Sequence, residues 1–500
     1  MDSPVENSRG AAQPADSPST VAVPPLAPKP VRVAAAIGFA VLVLALFQIG
    51  QQWALAHLPD FAYFYRGGMW LGQHGVFDPG YDVTAAGERI ARGTIEWYLP
   101  FVHRFMTMWT WIPDFTVLGH TVAGQSVSGI VWLLFNLTVF VCTIRLIGRY
   151  FVGLPRQDWI VTQLIPILIT ILFWHWEFRL NQINNLTLLL LVGSFVCWRR
   201  GHSTAAGLWV GFATLLKVTP GLLIVWFLLK RQYRVVVFAG LTVLLAGPVA
   251  DLVAFRDAEY VADRYRAWVA AVVGKTSHRA LIMNDYEMDW RNQSVSATAN
   301  RLLHHTNYST HFDNDPSITF GDHEPPRFIN IVNLPSEWVV RIVMGILVAS
   351  LLGLLWLGRK PAADMSEWHL RFEWALFVLA MLWFTPIMRR YHMIWALPTV
   401  SLLFAGIHYS GHRGRWVWTA TTALLLLTAG QLSLLSKWLG GTQIMEAFGV
   451  FTWTVLILAI PMVWMSLRLS ANENALPMDY NLKVQPAPEP PYPEAAVAAS

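Results

Sequence analysis

Apolar runs separated by short polar connections dominate the chain from residue 33 to residue 467. In lipid, each spanning segment must satisfy its own backbone hydrogen bonds, so these runs are predicted to be helices. Twelve runs are predicted to cross the membrane: Val33–Ala56, Gln125–Ile147, Trp159–Trp176, Ile183–Trp198, Ala205–Leu216, Pro220–Leu229, Val235–Ala254, Trp338–Leu357, Trp374–Met388, Tyr391–Ile407, Trp416–Ser436 and Phe448–Leu467. The pattern predicts an all-α polytopic membrane protein with about twelve transmembrane helices.

Two of these runs, Ala205–Leu216 and Pro220–Leu229, are shorter than the roughly 20 residues that a full crossing needs. They are either two crossings or one broken span. Arg199 and Arg200 precede the pair and the basic segment 230–234 follows it. Because short basic loops favour the cytoplasmic side, we expect the chain to cross twice between them.

The same alternation orients the whole chain. It places the remaining short basic loops on the cytoplasmic side, at Arg149/Arg156, Arg359/Lys360, Arg413/Arg415 and Arg468. Two long polar loops, at about 57–124 and 255–337, then lie outside, where they are expected to carry short interfacial helices.

The ends of the chain differ from this pattern. Residues 1–31 and 471–500 are rich in Pro and Ala and are predicted to be disordered and cytoplasmic, on either side of a transmembrane domain at 32–470. Ala54-Leu55-Ala56 imitates a cleavage site, but many spans follow, so we expect Val33–Ala56 to be an uncleaved first span.

Two aromatic segments occupy the first outer loop. Asp60–Gly72 has aromatic residues at helical spacing and is predicted to lie along the membrane surface. Residues 98–113 have a similar composition. They are interfacial, re-entrant or spanning, and the sequence leaves these alternatives open.

Composition agrees with a membrane protein. Hydrophobic residues make up 55% of the chain and charged residues 13%, against about 25% charged in ordinary soluble domains. The formal charge of +5 is accounted for by basic loops on one side of a membrane, so no nucleic-acid partner is expected.

A few cations break the orientation rule because they fall on the predicted outer side. Lys217 lies between the two short helices, Arg390 precedes Tyr391-His392, and Arg179 is close to Gln182 and Asn185. Cations at an outer boundary suit an anionic ligand whose tail lies in the membrane, such as a lipid phosphate. The alternative is that these side chains simply extend to the lipid headgroups.

Asp60 follows the first span at the predicted interface. A carboxylate partly withdrawn from water gains a raised pKa and becomes a usable general base. Alternatively, Asp60 caps the helix that it precedes. His392 either points into the same cavity or has a structural role. The histidines of the second outer loop match no metal-binding spacing, and no DxD pair lies near Asp60, so no metal site is expected.

With these residues in view, the sequence resembles the polytopic glycosyltransferases of the C superfamily, in particular glycosyltransferase family 87, the polyprenol-phosphate-mannose-dependent α-(1→2)-mannosyltransferases. The resemblance covers most of the chain from the first span to about Pro398. It rests on the order and spacing of Asp60-Phe-Ala-Tyr-Phe-Tyr with Gly67/Gly68, Phe77-Asp78-Pro79, Tyr98-Leu-Pro100, Asn181-Gln182-Ile-Asn184-Asn185, Gly207…Gly211 with Lys217-Val-Thr-Pro220, Asn292-Gln293-Ser294 with Arg301, and Thr385-Pro386…Tyr391-His392.

The resemblance implies an inverting transfer of a sugar, mannose in this family, from a polyprenyl-phosphate donor to a glycolipid or glycan hydroxyl. It implies neither a metal nor a cofactor. Asp60 takes the role of the base. The donor-site candidates are Lys217, His392, Arg390, Arg179, Gln182 and Asn185, and the acceptor-side candidates are Tyr63, Asn292 and Gln293. The segment 306–327 has no counterpart in the pattern, which leaves the acceptor least determined.

The expected location is a bacterial plasma (inner) membrane, with the active site on the periplasmic side and membrane lipids as surroundings. Two other functions stay open at this point. A transporter or flippase of a lipid-linked or anionic substrate would need polar groups near the bilayer midplane, whereas these charges gather at one boundary. A non-catalytic scaffold remains if Asp60 is only a cap.

Overall fold

A computed structural model describes residues 59–74, 81–83, 89–91, 98–117, 120–122, 124–152, 160–274, 277–285, 287–309, 326–409 and 444–469. The predicted spans Val33–Ala56 and Trp416–Ser436 and both terminal segments lie outside the described residues.

The described chain is helical apart from two small antiparallel hairpins, in which Tyr81–Val83 pairs with Arg89–Ala91 and Phe115–Val117 pairs with His120–Val122. The helices are α1 Pro59–His74, α2 Pro100–Thr107, α3 Gly124–Leu146, α4 Ile165–Leu180, α5 Asn184–Arg199, α6 Ser203–Leu216, α7 Gly221–Leu229, α8 Tyr233–Leu244, α9 Ala250–Phe255, α10 Ala258–Gly274, α11 His278–Met283, α12 Val295–Leu303, α13 Ser336–Leu357, α14 Glu367–Phe384, α15 Leu397–Tyr409, α16 Ile444–Ala447 and α17 Val450–Leu469. Wider π-type turns extend α3 to Val152, precede α4 from Ile160, and join α8 to α9.

Four described helices are long and apolar enough to cross a membrane: Gly124–Val152, Tyr233–Phe255, Ser336–Leu357 and Val450–Leu467. Each coincides with a predicted span to within a few residues at either end. Helix α13 leaves large apolar side chains such as Leu352 and Trp356 more than half exposed. Because water would not tolerate such a surface on a folded monomer, this protein is an integral membrane protein.

The predicted spans between residues 159 and 229 take a different form. Residues Thr162–Leu180 and α5 form a pair bent by 120° at a short break, where Asn181 adopts a left-handed backbone with φ of 54°. Helices α6 and α7 have 14 and 9 residues, or about 21 and 14 Å. The described helices thus supply four crossings, or five if the bent pair counts as one. Twelve crossings stay a prediction.

The region predicted to hold the spans Trp374–Met388 and Tyr391–Ile407 is also shifted. Helix α14 ends at Phe384, a tight 3-10 turn follows at Arg390–Ala396, and α15 begins only at Leu397. His392 therefore lies in a turn between two helices and outside the helices that could cross the membrane.

Helices α1 and α2 pack side by side and run in the same direction. Phe64 contacts Tyr98 edge to face, with ring centroids 5.0 Å apart, and Gly68 lies on the backbone of Met106. With 8 residues, α2 is about 12 Å long, too short to cross a bilayer. Residues 98–113 therefore do not span.

One end of the bundle collects three of the loops that were predicted to be cytoplasmic. Arg199 pairs with Glu367, and the Trp198 indole N–H donates to Gln232 Oε1 at 2.8 Å. The buried Lys230 pairs with Glu373. Helices α5, α6 and α14 each start or end in this cluster, so their other ends lie together about 21–27 Å away.

Candidate active site

Lys217 and His392 meet at that opposite end. Lys217 ends α6, and its Nζ is 2.6 Å from Nε2 of His392 in the turn before α15. The same Nζ donates to Asn184 Oδ1 at 2.6 Å, at the start of α5, and lies 5.3 Å from the centre of the Trp395 ring. Three helix ends that are distant in sequence thus bring a cation, an imidazole and an amide together.

The hydrogen bonds around His392 restrict its protonation. The backbone N–H of Arg389 donates to His392 Nδ1 at 3.0 Å. Burial, reinforced by the positive charges of Lys217 and Arg389, lowers the pKa of His392 well below its usual value. A neutral ring that accepts at Nδ1 carries its proton on Nε2. Nε2–H and the Lys217 ammonium are then two donors 2.6 Å apart, and an anionic oxygen placed beside the pair could accept from both.

This pair opens onto a cavity of about 170 Å³. Its polar wall includes Lys217, Arg389 and His392, and its apolar wall includes Tyr98 and Trp268. A charged wall that faces an aromatic wall suits a ligand with an anionic group next to a sugar ring or a lipid chain.

The helix that carries Asp60, α1, contacts one wall of this cavity. It falls in the first turn of α1, one turn before Phe64, whose ring contacts the cavity residue Tyr98. The helix includes both Pro59 and Asp60, so Asp60 is not simply the residue that precedes it. The side chains of Asp60 and Tyr63 lie outside the described residues.

Gln182 and Asn185, predicted to line the donor pocket, lie in the bend between α4 and α5 instead. Asn185 Nδ2 donates to the Asn136 carbonyl at 2.7 Å, and Asn136 Nδ2 donates to the Gln182 carbonyl at 3.2 Å. Both residues are buried against α3 and neither lines the cavity. The member of this segment that reaches Lys217 is Asn184, whose candidacy the sequence did not distinguish from that of its neighbour.

Arg179 and Arg390, predicted to bind the donor phosphate, both stack on Trp176, at 4.5 and 4.6 Å. Arg390 also forms a 2.9 Å ion pair with Glu446, and burial lowers its pKa to about 10. Its charge is thus already compensated inside the protein. The arginine that lines the cavity is the preceding one, Arg389.

Asn292 and Gln293, predicted on the acceptor side, hold this turn in place. Asn292 Oδ1 accepts from the Met388 N–H at 3.0 Å, and the Gln293 N–H donates to the Met388 carbonyl at 2.7 Å. Gln293 Nε2 donates to the Glu446 carbonyl at 2.6 Å. Both amides are thus used internally and position the segment that carries Arg389 and His392; the acceptor-side role of the two residues stays a prediction.

Arg301 completes this support. It is fully buried and donates to backbone carbonyls that include those of Asp289, Asn292 and Ala447, at 2.7–2.8 Å. Burial lowers its pKa to about 10. Because a guanidinium offers five donors and no acceptor, Arg301 ties the second outer loop to α16 without touching the cavity.

A larger open depression of about 730 Å³ lies at the other end of α2, against Arg104, Trp111 and Phe255. The charge of Arg104 is already matched by the buried Asp251, which also accepts from the Tyr265 hydroxyl at 2.8 Å. We therefore place the site at the smaller cavity, where donors converge. Within the described ranges, no three His, Cys, Asp or Glu side chains come together as a metal site.

Comparison with known proteins agrees with this geometry. Neither the curated proteins nor the solved structures contain a match to the chain. The model of glycosyltransferase family 87 matches residues 97–386, more than half of the chain, and this range includes Lys217 and Asn184 and ends before the turn that carries His392. It confirms the resemblance drawn from the sequence and makes the chain an enzyme that uses a sugar donor and an acceptor. The chain belongs to glycosyltransferase family 87 and is a membrane glycosyltransferase.

Proposed function

We propose that this enzyme transfers a mannosyl group, with inversion, from a polyprenyl-phosphate donor to a hydroxyl of a glycolipid or glycan. The reaction takes place at the outer face of a bacterial plasma membrane. Asp60 is the general base, and Lys217 and His392 bind the donor phosphate. The observation that carries this proposal is the 2.6 Å approach of two hydrogen-bond donors, Lys217 Nζ and His392 Nε2.

The chemistry requires such a pair. The acceptor hydroxyl gives its proton to the Asp60 carboxylate while its oxygen bonds to the anomeric carbon. The bond from that carbon to the phosphate oxygen breaks, and its electron pair stays on the leaving polyprenyl phosphate. The phosphate thereby gains one negative charge. A fixed cation and a fixed N–H next to it stabilise the transition state more than the bound substrate.

The lipid part of the donor has a suitable path. Trp268 and Val272 on α10 form one wall of the cavity. Val269 and Val273, one residue on from each of them, are 48% and 61% exposed. An apolar helix surface that continues from the cavity into lipid allows a prenyl chain to stay in hydrocarbon while its phosphate reaches Lys217.

The two ends of the bundle support the outer-face assignment. Lys230, Arg199 and Lys360 gather at one end and obey the positive-inside rule if that end is cytoplasmic. Lys217 and His392 are at the other ends of the same helices. The alternative orientation would place three basic loops outside.

The direct test is a transfer assay. Purified full-length protein in lipid nanodiscs receives isotope-labelled polyprenyl-phosphate mannose together with a bacterial membrane lipid extract, and products are identified by mass spectrometry. We expect a labelled glycolipid and free polyprenyl phosphate in equal amounts. Release of label only as free sugar, or label transfer from a nucleotide sugar and not from the lipid donor, would contradict the proposal.

A further inference from the structure

A fully buried carboxylate, Glu177, lies one amide away from Lys217. Glu177 is on the last turns of α4, just before the 120° bend. Its Oε1 accepts from the Asn185 backbone N–H at 2.8 Å, and its Oε2 accepts from Asn184 Nδ2 at 2.8 Å. The other end of the Asn184 amide, Oδ1, accepts from Lys217 Nζ.

With Glu177 ionised, this chain of bonds allows only one orientation of the Asn184 amide. A carboxylate has acceptors only, and an ammonium has donors only. Asn184 must therefore present Nδ2 to Glu177 and Oδ1 to Lys217. If Glu177 presented a donor instead, the amide would turn over and direct Nδ2 at the Lys217 ammonium.

The orientation of Asn184 decides where the Lys217 ammonium is held. Its contact with Oδ1 fixes Nζ at the start of α5, within 2.6 Å of His392 Nε2. Asn184 is itself anchored, because the Trp395 indole N–H donates to its carbonyl at 3.1 Å. A flexible lysine side chain is thus directed to one place by a rigid acceptor.

The negative charge of Glu177 also matters for the lysine. A cation 2.6 Å from a buried imidazole is costly unless an anion compensates it nearby. Glu177 supplies such a charge through one intervening amide.

We propose that Glu177 is a positioning residue of the donor site. It sets the polarity of the Asn184 amide and so holds Lys217 next to His392 for the donor phosphate. This role rests on the proposed function, because it concerns the same phosphate.

The competing account is purely structural. Glu177 closes the bend by accepting two N–H groups at the start of α5, and a neutral residue of the same shape could do so as well. The two accounts differ for the variant E177Q. Its glutamine side chain can still accept from the Asn185 N–H through the amide oxygen, but the amide nitrogen is a donor and forces Asn184 to turn over.

Exchanging the carboxylate of Glu177 and the amide of Asn184 distinguishes the positioning role from the purely structural one. The variants E177Q, N184D and E177Q/N184D are prepared in the full-length protein, and donor and acceptor KM and kcat are measured in nanodiscs. E177Q is expected to raise the donor KM about tenfold, the size of one hydrogen bond to a charged group, with the acceptor KM unchanged. N184D places two carboxylates side by side and is expected to be impaired as well.

The double variant is the decisive case. The introduced glutamine can donate to the introduced aspartate, and that aspartate can accept from Lys217, so the donor KM should return toward that of the native enzyme. An unchanged donor KM in E177Q, or a double variant no better than the worse single variant, overturns the positioning role. If E177Q does not fold, N184A serves instead. It keeps the Glu177 contact with the Asn185 N–H and removes only the link to Lys217, and an unchanged donor KM there also overturns the proposal.

Two controls make a failure interpretable. E373Q alters another fully buried carboxylate, at the opposite end of the bundle, and should leave the donor KM unchanged. K217A tests the proposed function itself. An unchanged donor KM in K217A would contradict the proposed donor site itself. A raised donor KM in K217A together with a native donor KM in E177Q would contradict only the role of Glu177.

Discussion

A lysine lies at each end of the helix bundle, and the two lysines have opposite surroundings. At one end, Lys230 is fully buried, pairs with Glu373 and donates to the carbonyls of Gly358 and Lys360 at 3.0 and 2.8 Å. Glu373 also accepts from the Trp226 indole at 2.7 Å. At the other end, Lys217 is next to a second donor, the Nε2–H of His392, and its carboxylate is one amide away.

The difference in hydrogen-bond partners distinguishes a lysine that stabilises the fold from one that is suited to bind a ligand. An ammonium group surrounded by acceptors has a partner for each of its N–H bonds. It stabilises the fold as long as all of these partners are present. A donor that faces another donor gains from an anion that accepts from both. The same residue type, at opposite ends of the same helices, thus supports a structural role for Lys230 and the donor-binding role proposed for Lys217.

The largest expected effect comes from the base. D60N keeps the size of the side chain and the start of α1 but removes proton acceptance, so transfer should fall by about 10²–10⁴-fold. D257N is the matched control, because Asp257 also lies at a helix start, where it accepts from the Tyr260 N–H at 2.9 Å. Initial rates and thermal unfolding in detergent would be compared. Equal rates in D60N and D257N would mean that Asp60 only supports its helix.

Loss of the structural lysine should damage stability first. K230A leaves the Glu373 carboxylate buried without its cation, which costs about 3–5 kcal/mol. The melting temperature in detergent should drop, whereas the donor KM of the folded fraction stays native. R199A is the control, since its exposed pair with Glu367 is worth under about 1 kcal/mol. If K230A changed the donor KM but not stability, the two ends would not differ as described.

Loss of the functional lysine should give the reverse result. K217A removes a charged hydrogen bond to the phosphate, worth about 1.5–3 kcal/mol, so donor kcat/KM should fall by about 10–100-fold. The melting temperature should hardly change, and inhibition by added polyprenyl phosphate should weaken in parallel. A destabilised protein with native kinetics would assign Lys217 to the fold rather than to the site.

Much of the helical framework was predictable because the length of an apolar run can be counted directly in the sequence. The predicted span Gln125–Ile147 lies within the observed helix Gly124–Val152, and the short segment predicted at Ala205–Leu216 is the helix Ser203–Leu216. Lys217 stood out because it broke the charge rule. The contact between Lys217 and His392 followed from the prediction that both residues lie in connections on the same side of the membrane.

What the sequence could not resolve was the choice between neighbouring residues. Asn184 rather than Asn185 reaches Lys217, and Arg389 rather than Arg390 lines the cavity. Each choice depends on the rotation of a helix around its axis after a bend or a 3-10 turn, which local sequence does not determine. Glu177 was passed over because an acid near the end of an apolar run looks like a boundary residue. The sequence feature that could have pointed to it is the pair Asn184-Asn185, seven and eight residues later, whose N–H groups bind the Glu177 carboxylate.

The contact between α1 and α2 has a consequence for evolution of the enzyme. A side chain at Gly68 would place its Cβ 2.7 Å from the Met106 carbonyl carbon, so two bare backbones touch at this point. Gly68 lies two turns from Asp60 and needs no contact with a sugar. A single methyl group there would push α1 away from α2 and so move Asp60, the proposed base, relative to Lys217. Under the proposed function, substitution at Gly68 is therefore limited by the spacing of the reacting groups as well as by packing.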